Sequence, residues 1–313
     1  MKNRNLRLDN LLVFALSLTF MYVVVDANSE PLLPPTNTEV IIAGVAHTAS
    51  LLKSGKGHFK HYGNAYFEEK KEIFDEKREA EPNAETVNAA SSTRSVEAFE
   101  FAFSNEYSYF KSASGEVISD GKVQLIIPSP QNISALFDNF FPPFPLDPRD
   151  RGLWYQRQEL SDFLHQHKEA IRLIGNETVD GVRCYVLEMP DSRVSGANLT
   201  FWIAPDGGYR LIQSLHAKKT ENTIVKIEWQ QWKTEEGDSV WFPRHSVALF
   251  SREGQKTPLR NEGEITDFRP NIDVSHLFVL QISPETKIFN TEIGKLTPFK
   301  ELGWQTFQTH SSR

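Results

Sequence analysis

The sequence predicts a mainly antiparallel β protein with added helices, an α+β fold. Between residues 180 and 250, short runs rich in Val, Ile, Leu, Phe, Tyr and Trp are separated by clusters of Gly, Asp, Asn and Pro. Spacing of roughly ten residues between such runs is typical of a meander of antiparallel strands. Within one run, Val182, Cys184 and Val186 alternate with their neighbours, so one face of that strand packs and the other faces water or a second layer.

Composition and charge narrow the class of protein. The chain has 313 residues, of which 39% are hydrophobic and 12% aromatic, enough to bury a substantial core. Its net charge of −7 and the lack of a basic run argue against a nucleic-acid partner and against binding to an anionic membrane surface.

The first 27 residues have the pattern of a secretory signal peptide. Lys2, Arg4 and Arg7 precede an uncharged run of 15 residues, 11–25, and small residues near Ala27 predict cleavage there. The run is shorter than the ~20 apolar residues of a membrane-spanning helix, although an uncleaved N-terminal anchor is the alternative. We therefore expect an exported protein, periplasmic if the source is a Gram-negative bacterium.

An exported chain with a single cysteine has no internal disulfide, so its stability must come from its core. Cys184 lies in the middle of a predicted strand among apolar neighbours. We therefore expect a small, buried and unreactive core residue.

The segments before the meander predict a helix and then strands. Apolar residues at helical spacing predict an amphipathic helix over Thr38–Lys53 that lies on the sheet. Lys56–Phe67 follows as the predicted first strand, although its two glycines lower the strand propensity of the segment. Residues 68–94 are crowded with charged and small residues and predict a solvated linker or an irregular insertion.

Two further strand segments come next, Val96–Phe110 and Glu116–Ile127. The pair Asp120-Gly121 either bends the second segment or divides it into a hairpin.

An aromatic–proline loop spans residues 128–153. Phe140, Phe141 and Phe144 lie among prolines that forbid a regular helix or a central strand, yet their rings favour burial. Two interpretations stay open: the loop fills its own core, or it forms a lid over a ligand cavity.

A second helix is predicted over Glu159–Ile174, and Asn261–Phe268 is predicted as the last full strand. Asn271–Asn290 fits an edge strand and turn. We expect one domain over residues 28–294, followed by a C-terminal tail, 295–313.

No motif indicates catalysis. Ser50 and Lys53 match an S-x-x-K spacing, but they lie at the end of a helix without the partner motifs of penicillin-binding enzymes. The chain has no G-x-S-x-G element either. We expect a protein that is not an enzyme.

The histidines do not predict a metal site. His58 and His61 are three residues apart in a predicted strand, which directs them to opposite faces. No H-E-x-x-H or C-x-x-C spacing occurs, and we expect neither a metal nor another cofactor.

The tryptophans and phenylalanines are the candidate site residues. Core packing is the simpler interpretation, and an aromatic-lined cavity for an apolar ligand is the alternative. The candidate ligand-binding residues are Phe140, Phe141, Phe144, Trp154, Trp202 and Trp229.

The order of segments resembles a known family. An N-terminal helix and strands are followed by GNETVDGVRCYVLE, FWIAPDGGYRLIQ, a Trp-bearing strand and GDSVWFPRHSVAL, with a closing segment from Phe278 to Phe289. This pattern resembles the outer-membrane lipoprotein-sorting proteins, the LolA/LolB-like superfamily, most clearly between Gly175 and Asn290.

The resemblance implies an unclosed antiparallel half-barrel whose concave face is covered by helices and encloses a hydrophobic cavity. Relatives carry lipoprotein acyl chains in that cavity, and a related domain senses mislocalised lipoproteins. The expected partner is therefore an apolar ligand, a lipid or acyl chain, bound by a monomer. A protein-binding or envelope-stress sensor module with an envelope protein partner is the alternative, and an enzyme with a dispersed site is a third.

Overall fold

The computed structural model describes residues 37–63, 95–105, 107–113, 115–119, 123–128, 134–138, 147–156, 158–255, 257–278, 287–290 and 295–298. The expected signal peptide, the 68–94 linker, Phe140, Phe141 and Phe144 lie outside these residues. None of the helices within these ranges is long and apolar enough to span a membrane.

Two α-helices and seventeen strands are found in the described parts of the chain. The helices are α1 (Thr38–Ser50) and α2 (Leu160–Gln166). The first nine strands are β1 (Ser54–Gly63), β2 (Ser95–Ser104), β3 (Tyr107–Ser112), β4 (Gly115–Ser119), β5 (Val123–Pro128), β6 (Ser134–Asp138), β7 (Trp154–Tyr155), β8 (Gln158–Glu159) and β9 (Arg172–Val179). The others are β10 (Val182–Pro190), β11 (Asn198–Ala204), β12 (Arg210–Ala217), β13 (Glu221–Lys233), β14 (Ser239–Arg252), β15 (Leu259–Pro270), β16 (Lys287–Asn290) and β17 (Lys295–Pro298). Pro148–Asp150 and Ser275–Phe278 form single 3₁₀ turns.

Fifteen of these strands form one sheet in the order β17-β16-β6-β5-β4-β3-β2-β1-β15-β14-β13-β12-β11-β10-β9. Among the described pairings, only β16 with β6 is parallel. The strand β1 pairs with β15 and β2, so it joins the two halves of the chain in one sheet. Because β17 and β9 lie at separate edges, the sheet is an unclosed half-barrel with helices on one face, as the resemblance implied.

The helices define the inner face of the sheet. Both helices pack on strands β10 to β13 in a helix-covered cluster. Its central members are Ile41, Ile42, Val45, Leu160, Phe163, Leu164, Leu187, Phe201, Ile203 and Ile227. Full burial of one such side chain contributes about 1.5–3 kcal/mol to the stability of the fold. Packing against the sheet therefore stabilises two helices that would be marginal in isolation.

A second group, the phenylalanine cluster, lies on the inner face of the other half of the sheet. Its rings are Phe59, Phe99, Phe101, Phe103, Phe110, Phe242 and Phe268. The rings of Phe242 and Phe268 stack with centroids 4.0 Å apart. The strands β14, β15, β1, β2 and β3 thus bring together residues that are far apart in sequence.

Glycines make room for these rings. A β-carbon on Gly263 would lie 2.6 Å from Phe59 Cε2, and one on Gly57 would lie 3.1 Å from the ring of Phe101. If a β-carbon added at a glycine came within 3.0 Å of a ring, the ring would have to move. The glycine at 57, which weakened the sequence prediction for β1, therefore allows the ring to lie against the backbone of the strand.

The outer face carries two smaller clusters. Cys184, Val186, Trp202, Ala204 and Ile212 pack together there, because they alternate along their strands with residues of the helix-covered cluster. Residues 272–278 cover a second group at Ala102, Tyr109 and Ile118.

Several boundaries differ from the prediction. The helix α1 begins after Asn37, whose Oδ1 accepts a hydrogen bond from Val40 N at 3.1 Å, and it ends at Ser50 rather than Lys53. The prediction for α2 was wrong beyond Gln166: Arg172–Ile174 belongs to β9, which pairs with β10. Ile171 lies between α2 and β9 and packs in the helix-covered cluster. Its apolar side chain, which suggested a longer helix, is explained by this burial.

The strand segments also divide differently. The predicted strand 96–110 is two strands, β2 and β3, which turn at Asn105 with a φ of 50°. The segment 116–127 is the hairpin β4–β5. The exclusion of a central strand from 128–153 was wrong, because β6 lies between β5 and β16. Residues 134–138 contain no proline, so the backbone restriction does not apply there. The strand β17 lies within the segment predicted as a tail.

Candidate ligand-binding site

The inner face is crossed by a short segment that we call the inner strap, residues 147–155. Leu153 N donates to Arg149 O at 3.0 Å, and Leu160 N donates to Leu153 O at 2.8 Å. Gly152 has a φ of +123°, and a β-carbon there would lie 2.9 Å from the ring of Trp229. The strap is therefore held close against the sheet at a position that favours glycine.

The strap buries an ion pair. Asp147 is 4% exposed and Arg149 3% exposed. The guanidinium of Arg149 donates from Nε to Asp147 Oδ1 at 3.0 Å and from Nη2 to Asp147 Oδ2 at 2.7 Å, and Nη1 donates to Asn105 O. Its Cζ lies 3.9 Å from the ring centroid of Trp154 and 4.9 Å from that of Phe103. The pair is bidentate and its cation lies over two aromatic rings, which compensates for removal from water.

A small polar pocket of about 60 Å³ opens beside this pair. It lies between the end of α1 and the strap. Its lining residues are Ala49, Leu52, Lys53, Phe103, Asn105, Arg149, Leu153, Trp154 and Glu159.

A second arginine of the strap lies over the centre of the inner face. Arg151 is 9% exposed, and its Cζ lies 6.0 Å from the ring centroid of Phe59. The ring of His61 lies 6.4 Å from the same phenylalanine ring. Burial, together with the positive charge of Arg151, lowers the pKa of His61 to about 4, so this imidazole is neutral at pH 7. Burial also lowers the pKa of Arg151, and the charge of Asp150 opposes that change.

Strand register places a serine in the same row. Ser246 pairs with Gly263, which pairs in turn with His61, so their positions share the inner face of β14, β15 and β1. Ser246 is 2% exposed, and its Oγ has no hydrogen-bond partner among the described residues. That oxygen lies 3.2 Å from the position that a β-carbon on Gly263 would take. The Phe59 ring lies 2.6 Å from the same position, so the ring occupies the place of the absent Gly263 side chain, beside the serine hydroxyl.

An apolar pocket of about 40 Å³ lies on the inner face near β2 to β5. Its surface is mainly apolar. Its lining residues are Phe99, Phe110, Ser112, Gly115, Glu116, Val117 and Ile126. The two described helices pack on β10 to β13, at the other end of the sheet.

The structure brings two of the three described candidate tryptophans together. Trp154 and Trp229 both pack against the phenylalanine cluster. Trp229 Nε1 donates to Leu211 O at 2.7 Å. Trp202 lies on the outer face, where its Nε1 donates to Glu177 Oε2 at 2.7 Å, and it is thus separate from the inner-face cluster against which Trp154 and Trp229 pack. Phe140, Phe141 and Phe144 lie outside the described residues.

The sequence analysis missed the polar residues of the inner face. It directed His58 and His61 to opposite faces, and the structure confirms this: the side chain of His58 is 58% exposed on the outer face, whereas His61 is 5% exposed. The polar strap residues Asp147, Arg149 and Arg151 lie in the last part of the aromatic–proline loop, after its phenylalanines. The sequence signal for them was the presence of charged residues next to so many apolar ones.

Comparisons with known proteins concern the fold. No protein-family model matches the chain, and no curated protein sequence does. A DUF1329 family protein from Desulfovibrio piger ATCC 29098 is 12% identical, with 78% of this chain and 97% of that chain covered at a TM-score of 0.46. LolA superfamily protein NE2245 from Nitrosomonas europaea is 11% identical, with 79% of this chain and 99% of that chain covered at a TM-score of 0.43.

A domain from Vibrio parahaemolyticus, provisionally described as an outer membrane lipoprotein-sorting protein, is 10% identical, with 77% of this chain and 97% of that chain covered at a TM-score of 0.44.

Proposed function

We propose that this protein is a non-catalytic, exported binding protein that holds an apolar ligand, a lipid or acyl chain, on the inner face of its half-barrel. The pattern of a signal peptide at residues 1–27 supports export, to the periplasm in a Gram-negative source. Burial of apolar ligand surface would supply the affinity, at roughly 25 cal/mol per Å².

The observation that carries the proposal is the apolar pocket between Phe99, Phe110, Val117 and Ile126. Three of these four side chains are buried, and they form an apolar surface that the two α-helices do not cover. An acyl chain is a suitable occupant of such a surface because it needs no polar partner.

The volume sets a condition on binding. The pockets of about 40 and 60 Å³ are far smaller than the roughly 300–1,000 Å³ of ordinary ligand sites. A long acyl chain can therefore enter only if a covering segment moves. We assign this role to residues 139–146, the part of the aromatic–proline loop between β6 and the inner strap, with Phe140, Phe141 and Phe144 at the mouth.

The test is ligand binding by the purified protein. A long-chain fatty acid or lipopeptide should change the fluorescence of Trp154 and Trp229 and raise the melting temperature, since binding to the folded state alone stabilises it. Changing Phe140 and Phe144 together to Ser should weaken binding and leave the fold intact.

The matched control replaces two exposed apolar residues outside the proposed mouth. Val96 is 59% exposed and Ile174 is 54% exposed, so changing both to Ser should alter neither binding nor melting. The proposal fails if no apolar ligand changes either signal and the Phe140/Phe144 double variant unfolds, because the loop then fills the core.

The alternative function, a protein-binding or envelope-stress sensor module, is favoured by one observation. Where the structure describes the inner face, the protein's own side chains fill most of it. A protein that binds no apolar ligand yet captures an envelope protein partner through Phe140, Phe141 and Phe144 would support that function instead.

A further inference from the structure

The small polar pocket between the end of α1 and the inner strap is lined by donors that the other described residues leave without acceptors. We propose that this pocket is a subsite for an anionic oxygen group, a carboxylate or a phosphate, at the polar end of an acyl ligand. The inference rests on the proposed function, because it supplies the polar end of the ligand whose chain would lie on the apolar surface.

Arg149 lines the pocket, and its donors are not all used within the described chain. A guanidinium has five N–H groups and no acceptor. In Arg149, Nε and Nη2 donate to the carboxylate of Asp147, and Nη1 donates to Asn105 O. One N–H on Nη1 and one on Nη2 therefore have no partner among the described residues. Because Arg149 is 3% exposed and lines the pocket, an occupant of the pocket is the available acceptor for these two groups.

A second cation, Lys53, lines the same pocket. Its backbone is held from two sides, since Lys53 N donates to Asn271 Oδ1 at 2.9 Å and Lys53 O accepts from Asn105 N at 3.1 Å. Its side chain is exposed, and Nζ contacts no carboxylate within the described ranges. The base of this side chain is thus fixed at the pocket, and its ammonium group is available to a ligand.

The acceptors at the pocket are fewer than the donors. Asn105 O already accepts from Arg149. Among the described lining residues, Glu159 supplies the carboxylate; it is exposed, and its Oε2 accepts from Ser161 Oγ at 3.5 Å. Water and salt weaken the repulsion from an exposed charge. An anionic oxygen group is therefore the occupant that suits Arg149 and Lys53, and charge-assisted hydrogen bonds of this kind are the strong ones.

The strand β2 connects the polar pocket with the apolar pocket. Phe103 lines the polar pocket, and Phe99 lines the apolar one. Both rings belong to the phenylalanine cluster of the inner face, and four residues of extended strand separate them by about 13 Å. A ligand whose anionic group lies beside Arg149 would therefore direct its chain along β2 towards the apolar pocket.

The experiment compares acyl ligands that differ in the polar end. Binding of palmitate, methyl palmitate and palmitoyl lysophosphatidate to the purified full-length protein is measured at pH 8 by calorimetry and by the fluorescence of Trp154, which lines the pocket. Acetate and inorganic phosphate serve as anions without a chain. An acidic ligand should bind at least about 10-fold more tightly than the methyl ester, as expected for hydrogen bonds to a charged group. Preference for palmitate or for the lysophosphatidate identifies the group as a carboxylate or a phosphate.

Variants of the two exposed lining charges assign the effect to this pocket. Lys53→Gln should reduce the preference for the acidic ligand several-fold, and Glu159→Gln should increase it, because one change removes an attraction and the other a repulsion. Both side chains are exposed, so neither change should alter the melting temperature of the free protein. Lys60→Gln, on the outer face of β1, is the matched control and should leave the preference unchanged.

The failure of this inference and the failure of the proposed function are distinguishable. Equal binding of palmitate and methyl palmitate, or an unchanged preference in both Lys53→Gln and Glu159→Gln, removes the anion subsite and leaves the proposed function in place. Absence of binding by every acyl ligand removes the proposed function. In that case, binding of acetate or phosphate that Lys53→Gln weakens would support a site for free anions, and absence of small-anion binding would remove the subsite as well.

Discussion

The stability of the protein should fall below pH 6.5 because His61 is buried. Its pKa moves from 6.5 to about 4 on folding, so the unfolded chain binds a proton in a range where the folded chain does not. Stability from this group is therefore present above pH 6.5 and is lost as the pH falls towards 4. The full difference is roughly 3 kcal/mol at 1.36 kcal/mol per pKa unit, and about 2 kcal/mol of it is lost by pH 5.

The assay is urea unfolding at pH 8 and pH 5, followed by tryptophan fluorescence. Between these two pH values, the wild type should lose about 2 kcal/mol more unfolding free energy than His61→Gln, a difference of roughly 1 M in the urea midpoint. His58→Gln should behave like the wild type, because His58 is exposed. Burial also lowers the pKa of His216, but that group is present in every variant and cancels from the comparison. Equal pH dependence in the wild type and His61→Gln would refute the reasoning, since it would mean that His61 protonates in the folded protein.

Three further predictions concern packing and burial. Gly263→Ala should destabilise the protein by about 1–3 kcal/mol in chemical denaturation, and more than Gly57→Ala, whose β-carbon meets a ring at 3.1 Å rather than 2.6 Å; equal small losses would contradict the packing described. Cys184 should resist thiol reagents in the native protein and react after unfolding, because burial raises its pKa to about 12; rapid native labelling would show it to be exposed. Asp147→Asn should cost about 3–5 kcal/mol because it leaves a buried arginine charge without its carboxylate, whereas Asp180→Asn, in an exposed pair, should cost at most about 1 kcal/mol; similar losses would mean that the first pair is hydrated.

The sequence predicts the parts of this fold that depend on local pattern. Alternation placed Cys184 in a buried strand position, and period-two spacing separated His58 from His61. The pair Asp120-Gly121 left a bend or a hairpin open, and β4 and β5 form the hairpin. These features follow from strand geometry within a few residues, so no knowledge of distant neighbours is needed.

Features set by distant neighbours were not predictable in the same way. Arg172–Ile174 continues a helical pattern in sequence, but its backbone pairs with β10. Trp202 is as apolar as Trp229, and the side of the sheet on which it lies depends on the register with Val186. The row that joins Ser246 to His61 exists only because the last long strand β15 pairs with the first strand β1, which local periodicity does not specify.

The two arginines of the inner strap show different effects of burial. A buried charge costs several kcal/mol unless a partner and hydrogen bonds compensate for it. Arg149 donates hydrogen bonds to both carboxylate oxygens of Asp147, which is itself buried, and its cation lies over two aromatic rings. For Arg151, burial lowers the pKa, and the charge of the half-buried Asp150 opposes that change. Removing Asp147 takes away the main compensation for the buried charge of Arg149, and this is why Asp147→Asn is expected to cost more stability than a change in an exposed pair.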